Sequence, residues 1–173
     1  TIIESMYVYT FNQKVADDLG IEDPYTVVNE GRWTLDYVRK QTADLGTDRN
    51  GDGKMDKYDS WGLATYQVNG MDNYMQGARV SMMGRDADDV PVLDVDMDRM
   101  TSLVEKVYAL CFENPGCYVE EGGNYDITYA VFKADRALYT TMMMSQVRTE
   151  LADMESDFGI LPYPKLDETQ SAY

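Results

Sequence analysis

Asp48-Arg49-Asn50-Gly51-Asp52-Gly53-Lys54-Met55-Asp56-Lys57-Tyr58-Asp59, followed by Ser60 and Trp61-Gly62-Leu63-Ala64-Thr65-Tyr66, is the stretch that separates two fold classes. Its first twelve residues carry the oxygen pattern of an EF-hand calcium loop. Side-chain oxygens fall at loop positions 1, 3, 5, 9 and 12 (Asp48, Asn50, Asp52, Asp56, Asp59). Lys54 stands at position 7, where a backbone carbonyl is the ligand, and Gly53 at position 6, where the chain must turn sharply. Met55 at position 8 offers an apolar anchor to a core. Position 12 is Asp where a two-oxygen Glu is usual. The competing reading is a metal-free polar turn, since Asp, Asn and Gly are also ordinary turn residues. An all-helical calcium module would repeat the loop. Here one loop occurs, and Trp61–Tyr66 after it reads as a strand, so the loop is embedded in an α/β chain.

Outward from this point, strands alternate with helices. Ser5–Phe11 is aromatic and β-branched, a strand by composition. Asn12 caps a short helix through Leu19 that Gly20 closes, Asp23-Pro24 starts another turn, and Thr34 caps a helix with Leu35, Val38 and Leu45 on its apolar face. Beyond Tyr66, a helix is expected over Asp72–Ala78, with extended pieces at Val80–Met83 and Val90–Leu93. Asp96 opens the strongest helix, in which Met97, Met100, Leu103, Val104, Val107, Tyr108 and Cys111 recur at helical spacing. A helix over Ile127–Ala134, a strand over Ala137–Met142, a helix capped at Ser145 and a strand over Phe158–Leu161 complete the reading. Such alternation predicts an α/β fold, helix-rich around a small mixed sheet.

Composition narrows the function. The 173 residues suit one domain with its own core, and 44% are hydrophobic. No apolar run approaches a membrane span. With 31 acidic against 15 basic residues, the formal charge of −16 repels nucleic acid and anionic lipid alike. There is no His, which removes Ser-His-Asp and Cys-His catalysis, His-ligated zinc and imidazole bases. Phosphate-binding glycine loops and the Gly-x-Ser-x-Gly elbow are absent too. Only carboxylates remain for chemistry, and binding rather than catalysis is expected. Cys111 and Cys117 flank Glu113-Asn114-Pro115-Gly116, whose Pro-Gly turn could bring the sulfurs together. A disulfide is the favoured reading over two buried thiols. Thr1 is not an initiator Met, and both ends are strand-like, so a piece of a longer chain is expected.

Several segments in order resemble the extracellular solute-binding proteins of bacterial ABC importers, the maltose-binding-protein-like group. They are Tyr9-Thr10-Phe11-Asn12-Gln13-Lys14 with Leu19-Gly20-Ile21; Gly31-Arg32-Trp33-Thr34-Leu35-Asp36; Asp48–Asp59 with Trp61-Gly62-Leu63; Phe132 through Leu138-Tyr139, with Ala134 in place of the usual Gly; and Arg148 through Met154–Lys165. The Asp-closed loop also resembles those of dockerin modules. The first resemblance implies the second lobe of a type II periplasmic-binding-protein-like fold, spanning residues 1–173, with the first lobe supplied by sequence outside them. It implies a monomeric receptor that hands a sugar to ABC permease subunits, exported and lipid-anchored at the cell surface. By position, Asn69-Gly70-Met71-Asp72-Asn73-Tyr74 would meet the ligand, with Tyr74 stacking and Asp72 and Asn73 hydrogen-bonding. Met142 and Met143 would form an adaptable apolar wall where maltose-binding protein has a stacking Trp. Trp33 and Trp61 are assigned to packing. Ca2+ at Asp48, Asn50, Asp52, Lys54, Asp56 and Asp59 would be structural. The dockerin likeness offers the alternative of a calcium-stabilised cell-surface adhesion or scaffold module.

Overall fold

Side-chain caps written in the sequence set where the helices begin. In the computed structural model, which describes residues 2–67 and 71–173, strand β1 (Tyr7–Asn12) ends at Asn12. The Asn12 side chain accepts the Val15 N–H at 3.0 Å and starts α1 (Gln13–Asp18). Asp23 does the same for α2 (Pro24–Asn29), and Thr34 for α3 (Leu35–Thr42). After β2 (Trp61–Tyr66) comes a five-residue helix, α4 (Asn73–Gly77), and a separate exposed hairpin of β3 (Met83–Arg85) and β4 (Pro91–Leu93). Asp96 caps α5 (Met97–Cys111) by accepting the Arg99 N–H at 2.9 Å. Then follow β5 (Cys117–Glu120), α6 (Tyr125–Lys133), β6 (Ala137–Met143), α7 (Met144–Glu150) and β7 (Phe158–Leu161).

Five strands form one sheet in the order β5-β2-β6-β1-β7. Strand β2 runs parallel to β5 and β6, while β1 runs antiparallel to β6 and β7. Four strands therefore point one way and β1 alone points back. Both faces of the sheet are covered. Tyr9, Phe11, Leu63 and Tyr139 pack on Val27, Trp33, Leu35, Val38, Tyr74, Leu103 and Leu110 from α2 to α5. Val8, Ala64, Tyr66 and Met142 pack on Tyr129, Phe132, Val147 and Leu151 from α6 and α7. Double-sided burial leaves the central threonines no water, and they bond within the sheet. Thr65 and Thr141 share a hydroxyl contact at 2.8 Å, and Thr140 Oγ1 donates to the Ala64 carbonyl at 2.8 Å.

The segment after β7 folds back over α3, α4 and α5. Trp33 Nε1 donates to the Pro162 carbonyl at 2.9 Å, and Tyr173 Oη donates to the Val28 carbonyl at 3.1 Å. Arg99 binds the Ala78 carbonyl and the Gln170 side chain, whose Nε2 reaches the Gly77 carbonyl at 2.8 Å. Gly77 admits no side chain here, since a Cβ would stand 2.7 Å from the Pro164 oxygen.

Local details depart from the sequence reading. The first strand begins at Tyr7, with Ile2–Ser5 in a 3-10 turn. Helix α6 starts two residues early, because Asn124 supplies the cap. Helix α7 starts at Met144 and not under a Ser145 cap: Gln146 Oε1 reaches back to accept the Met143 N–H at 2.9 Å. Strand β5 has no counterpart in the sequence reading; it follows directly on the Glu113–Gly116 turn and opens with Cys117. The expected disulfide is not formed. Cys111 and Cys117 are free, buried thiols.

Trp33, just before the Thr34 cap of α3, is fully buried and reaches the segment after β7 through its indole N–H. Trp33→Ala is expected to destabilise the chain by about 3–5 kcal/mol in urea unfolding. An unchanged unfolding midpoint would show that the aromatic core does not hold these elements together.

Candidate functional site

Because four strands end on the same edge, that edge gathers the last residues of β2, β5, β6 and β7 with the first residue of β1. Ligands of open α/β sheets bind outside the carboxyl ends of strands. Here the edge carries Tyr66, Glu120, Met143, Leu161 and Tyr7, with Tyr7 opposite Met143 and Tyr66 opposite Glu120. A recess of about 420 Å3 opens beside it, lined by Ser5, Met6, Tyr7, Asn73, Gln76, Pro162, Tyr163 and Tyr173 among others. That volume lies in the range of small-molecule sites. Its lining is aromatic, amide and aliphatic, and includes neither Lys nor Arg.

Phenols dominate the edge. The Tyr66 ring lies edge-on to that of Tyr129 at 6.4 Å, and Tyr129 Oη donates to Gln146 Oε1 at 2.8 Å. Tyr125 stacks 5.4 Å from Tyr129 and is 42% exposed, leaving an aromatic face toward solvent. Burial pushes the Tyr66, Tyr129 and Tyr163 hydroxyls above the ordinary phenol value, so all three stay protonated and neutral near pH 7. Glu120 is buried and engaged: Oε1 accepts the Gly122 N–H at 3.0 Å and Oε2 the Asn124 N–H at 2.6 Å, fixing the turn between β5 and α6.

The residues expected at a ligand divide between edge and core. Asn73 lines the recess and Met143 ends β6 at the edge. Tyr74 does not present a stacking face. It is 1% exposed, its hydroxyl is bonded to that of Tyr9, and its ring lies edge-on to Tyr163 at 5.1 Å. Adjacent helix residues differ by about 100° in direction, so Asn73 lines the recess while Tyr74 enters the core. Met142 is fully buried against α6 and α7, as the strand alternation requires. Asp72 is exposed on the side of α4 that faces α5. Asn69 and Gly70 lie outside the described residues. Tyr7, Tyr66, Tyr125, Tyr129, Tyr163 and Gln76 were not anticipated. The available signal was the tyrosine at the edge end of β1 and of β2, Tyr7 and Tyr66.

The acidic loop folds as a closed turn. Asp48 accepts the Gly51 and Gly53 N–H groups at 2.7 and 2.9 Å, Asn50 that of Asp52, and Asp52 that of Lys54. Gly51 and Gly53 take positive φ of 72° and 78°, which permits the sharp bend. Asp59 is buried and closes the loop, with Oδ1 accepting the Arg49 N–H and Oδ2 that of Asp56. Met55 does not anchor the loop, being 43% exposed. Trp61 Nε1, donating to the Asp56 carbonyl at 2.9 Å, and Arg136, donating to the Lys57 carbonyl, do so instead. The donors are the hard oxygens that calcium takes. Among the described residues, however, no three acidic side chains converge closely enough to hold an ion.

Comparison with known proteins places the fold. No family model and no curated protein matches the sequence. Among solved structures, the maltose/maltodextrin-binding domain MalE from Bdellovibrio bacteriovorus, bound to maltotriose, aligns over 92% of this chain and 37% of its own, with TM-score 0.61 and 16% identity. The GacH receptor of Streptomyces glaucescens, solved with acarbose, gives 0.63 and 13% over 92% and 37%. UgpB from Mycobacterium tuberculosis, in complex with glycerophosphocholine, gives 0.60 and 10% over 91% and 35%. The chain has the fold of a periplasmic-binding-protein-like lobe, and it spans just over a third of the length of these structures.

Backbone N–H groups of Asp56 and Arg49 hold the Asp59 carboxyl below its ordinary value of 3.8. A lowered folded-state value stabilises the fold fully above about pH 4, and this is lost as pH falls through the folded value. Asp59→Asn should therefore flatten the dependence of stability on pH below about pH 4. Identical acid-unfolding slopes in the two proteins would show that the carboxylate does not close the loop.

Proposed function

We propose that this chain is the second, ligand-binding lobe of an extracellular solute receptor that delivers a neutral polyhydroxylated compound, an oligosaccharide, to an ABC importer. The observation that carries the reading is the recess at the carboxyl edge of the sheet, lined by phenols and amides with no cation. Neutral hydroxyls pair with Tyr hydroxyls and with the Asn73 and Gln76 amides, and sugar C–H faces lie against rings. An anionic ligand would call for Arg or Lys, which the lining lacks. MalE with maltotriose and GacH with acarbose support a sugar. UgpB with glycerophosphocholine shows that the same fold also serves other solutes, so the lining and not the fold selects the ligand. Asn73, Met143 and Tyr7 are the contacts we assign.

The remaining cleft wall would come from a first lobe outside these residues, closing by hinge motion. On this reading the whole protein is a monomeric, lipid-anchored receptor that meets permease subunits, and it binds without catalysing. Among the described residues no helix is long and apolar enough to cross a membrane. Calcium is proposed as a structural ion of the Asp48–Asp59 loop: the oxygens of Asp48, Asn50, Asp52, Asp56 and Asp59, which here accept N–H groups of the loop itself, would turn onto it with the Lys54 carbonyl.

Two measurements test this. In the whole receptor, calorimetry with maltotriose and glycerophosphocholine should favour the sugar, and Tyr7→Ala should weaken sugar binding about tenfold, the equivalent of about 1.4 kcal/mol. Affinity should stay level from about pH 6 to 9, because burial raises the Tyr163 and Tyr173 phenols of the recess above their ordinary value and keeps them protonated. Preference for the phosphodiester would overturn the ligand class. For the loop, millimolar calcium should raise the melting temperature over that in chelator, and Asp52→Ala should abolish the rise. Equal melting in calcium and chelator would leave the loop a turn.

A further inference from the structure

We propose that Gln170 is a positioning residue for the recess: one buried amide sets the separation of its two walls, and with it the fit of the solute. This rests on the recess being the ligand site, as proposed above. One wall is α4, which supplies Asn73, Gln76 and Gly77. The other is the segment after β7, which supplies Pro162, Tyr163 and Tyr173. Neither wall holds itself. A helix of five residues is too short to be stable alone, and its last carbonyls have no partner within the helix. Asp72, at its start, makes no side-chain capping bond. The segment after β7 contains no helix and no strand of the sheet.

Gln170 closes both. It is buried, and both donors and both acceptor positions of its amide are used. Toward α4, Nε2 donates to the Gly77 carbonyl at 2.8 Å and Oε1 accepts from Arg99 Nη2 at 2.8 Å. The same Arg99 nitrogen donates to the Ala78 carbonyl at 2.6 Å, so two side chains from other parts of the chain cap the end of α4. Toward its own segment, Nε2 donates to the Ala172 carbonyl at 2.7 Å and Oε1 accepts the Leu166 N–H at 3.2 Å. The Gln170 carbonyl accepts from Lys165 Nζ at 2.9 Å, and that ammonium stands 5.5 Å from the centre of the Tyr173 ring. The Asn73 and Gln76 amides on one side and the Tyr173 ring on the other are thus placed by reference to one side chain that does not itself line the recess. An amide fits this place because two donors and two acceptors are needed together. A carboxylate, which only accepts, does not supply them.

The test compares the whole receptor with its Gln170→Glu and Gln170→Met variants, by amide hydrogen exchange with and without maltotriose and by calorimetry with that sugar. Gln170→Glu keeps the length and the Arg99 contact but sets a carboxylate oxygen against two carbonyls. Gln170→Met keeps the length without charge and serves should the first variant not fold. Without sugar, the Ala78 and Val80 amides should exchange about tenfold faster in the variant, while those of β2 and β6 stay within about twofold. Affinity for maltotriose should fall about fivefold, and saturating sugar, which spans both walls, should restore protection at Ala78 and Val80. Equal loss of protection in α4 and in the sheet would overturn the proposal, because Gln170 would then stabilise the chain as a whole. Failure of both variants to fold would overturn it for the same reason. So would unchanged exchange at α4, or unchanged affinity with α4 loosened. Failure of the unaltered receptor to bind maltotriose would count instead against the ligand reading. The exchange arm needs no ligand, and it decides by itself whether Gln170 sets the walls.

Discussion

The ring of Tyr9 is the contact around which the rest is arranged. It is fully buried in the middle of β1 and meets Trp33 at 5.7 Å, Tyr139 at 6.2 Å and Tyr163 at 5.1 Å, each edge-on. Its hydroxyl is bonded to that of Tyr74. One side chain thus ties the reversed strand to α3, β6, α4 and the segment after β7. Edge-on contacts between rings have preferred geometry, so they hold position as well as burying area. The site inherits that positioning. Tyr74 is seated on Tyr9, which places Asn73 at the recess, and Tyr163 is seated on the same ring, which places Pro162 and the opposite wall.

Much of the fold was legible because it is encoded locally. Asn12, Asp23, Thr34 and Asp96 each announce a helix, and each accepts a backbone N–H as the sequence implied. The Trp61–Tyr66 and Phe158–Leu161 strands fall on the expected residues. Strand order is a different matter. That β2 lies between β5 and β6, parallel to both, depends on pairings between residues more than fifty positions apart, which no local pattern records. β5 itself is short, and Cys117 at its start, six residues after Cys111, invites a covalent reading that hides Tyr118-Val119 as strand residues.

The site was less legible for the same reason. Asn73 and Met143 could be placed by order along the chain, but Tyr7, Tyr66 and Tyr129 meet only when three separate elements are assembled. Tyr74 illustrates the limit of position alone. An aromatic residue beside a binding loop satisfies the pattern of a stacking group whether its ring faces out or in, and the choice here was made by Tyr9 and Tyr163, both distant in sequence. Net charge carried real information. The −16 surplus repels nucleic acid, and the recess lining is free of cations that would recruit anions.

The way the terminal segment is fastened bears on how far such a chain can drift. Trp33, Gln170 and Tyr173 each reach across to a main-chain carbonyl, those of Pro162, Gly77 and Val28. A carbonyl is supplied by every amino acid. Mutation on the accepting side therefore leaves the bond intact, and only the donor must persist. Half of each fastening is exempt from selection on side-chain identity. A lineage can rewrite those exempt positions freely and still close the same architecture. This gives one physical route by which chains only 10–16% identical come to share a shape.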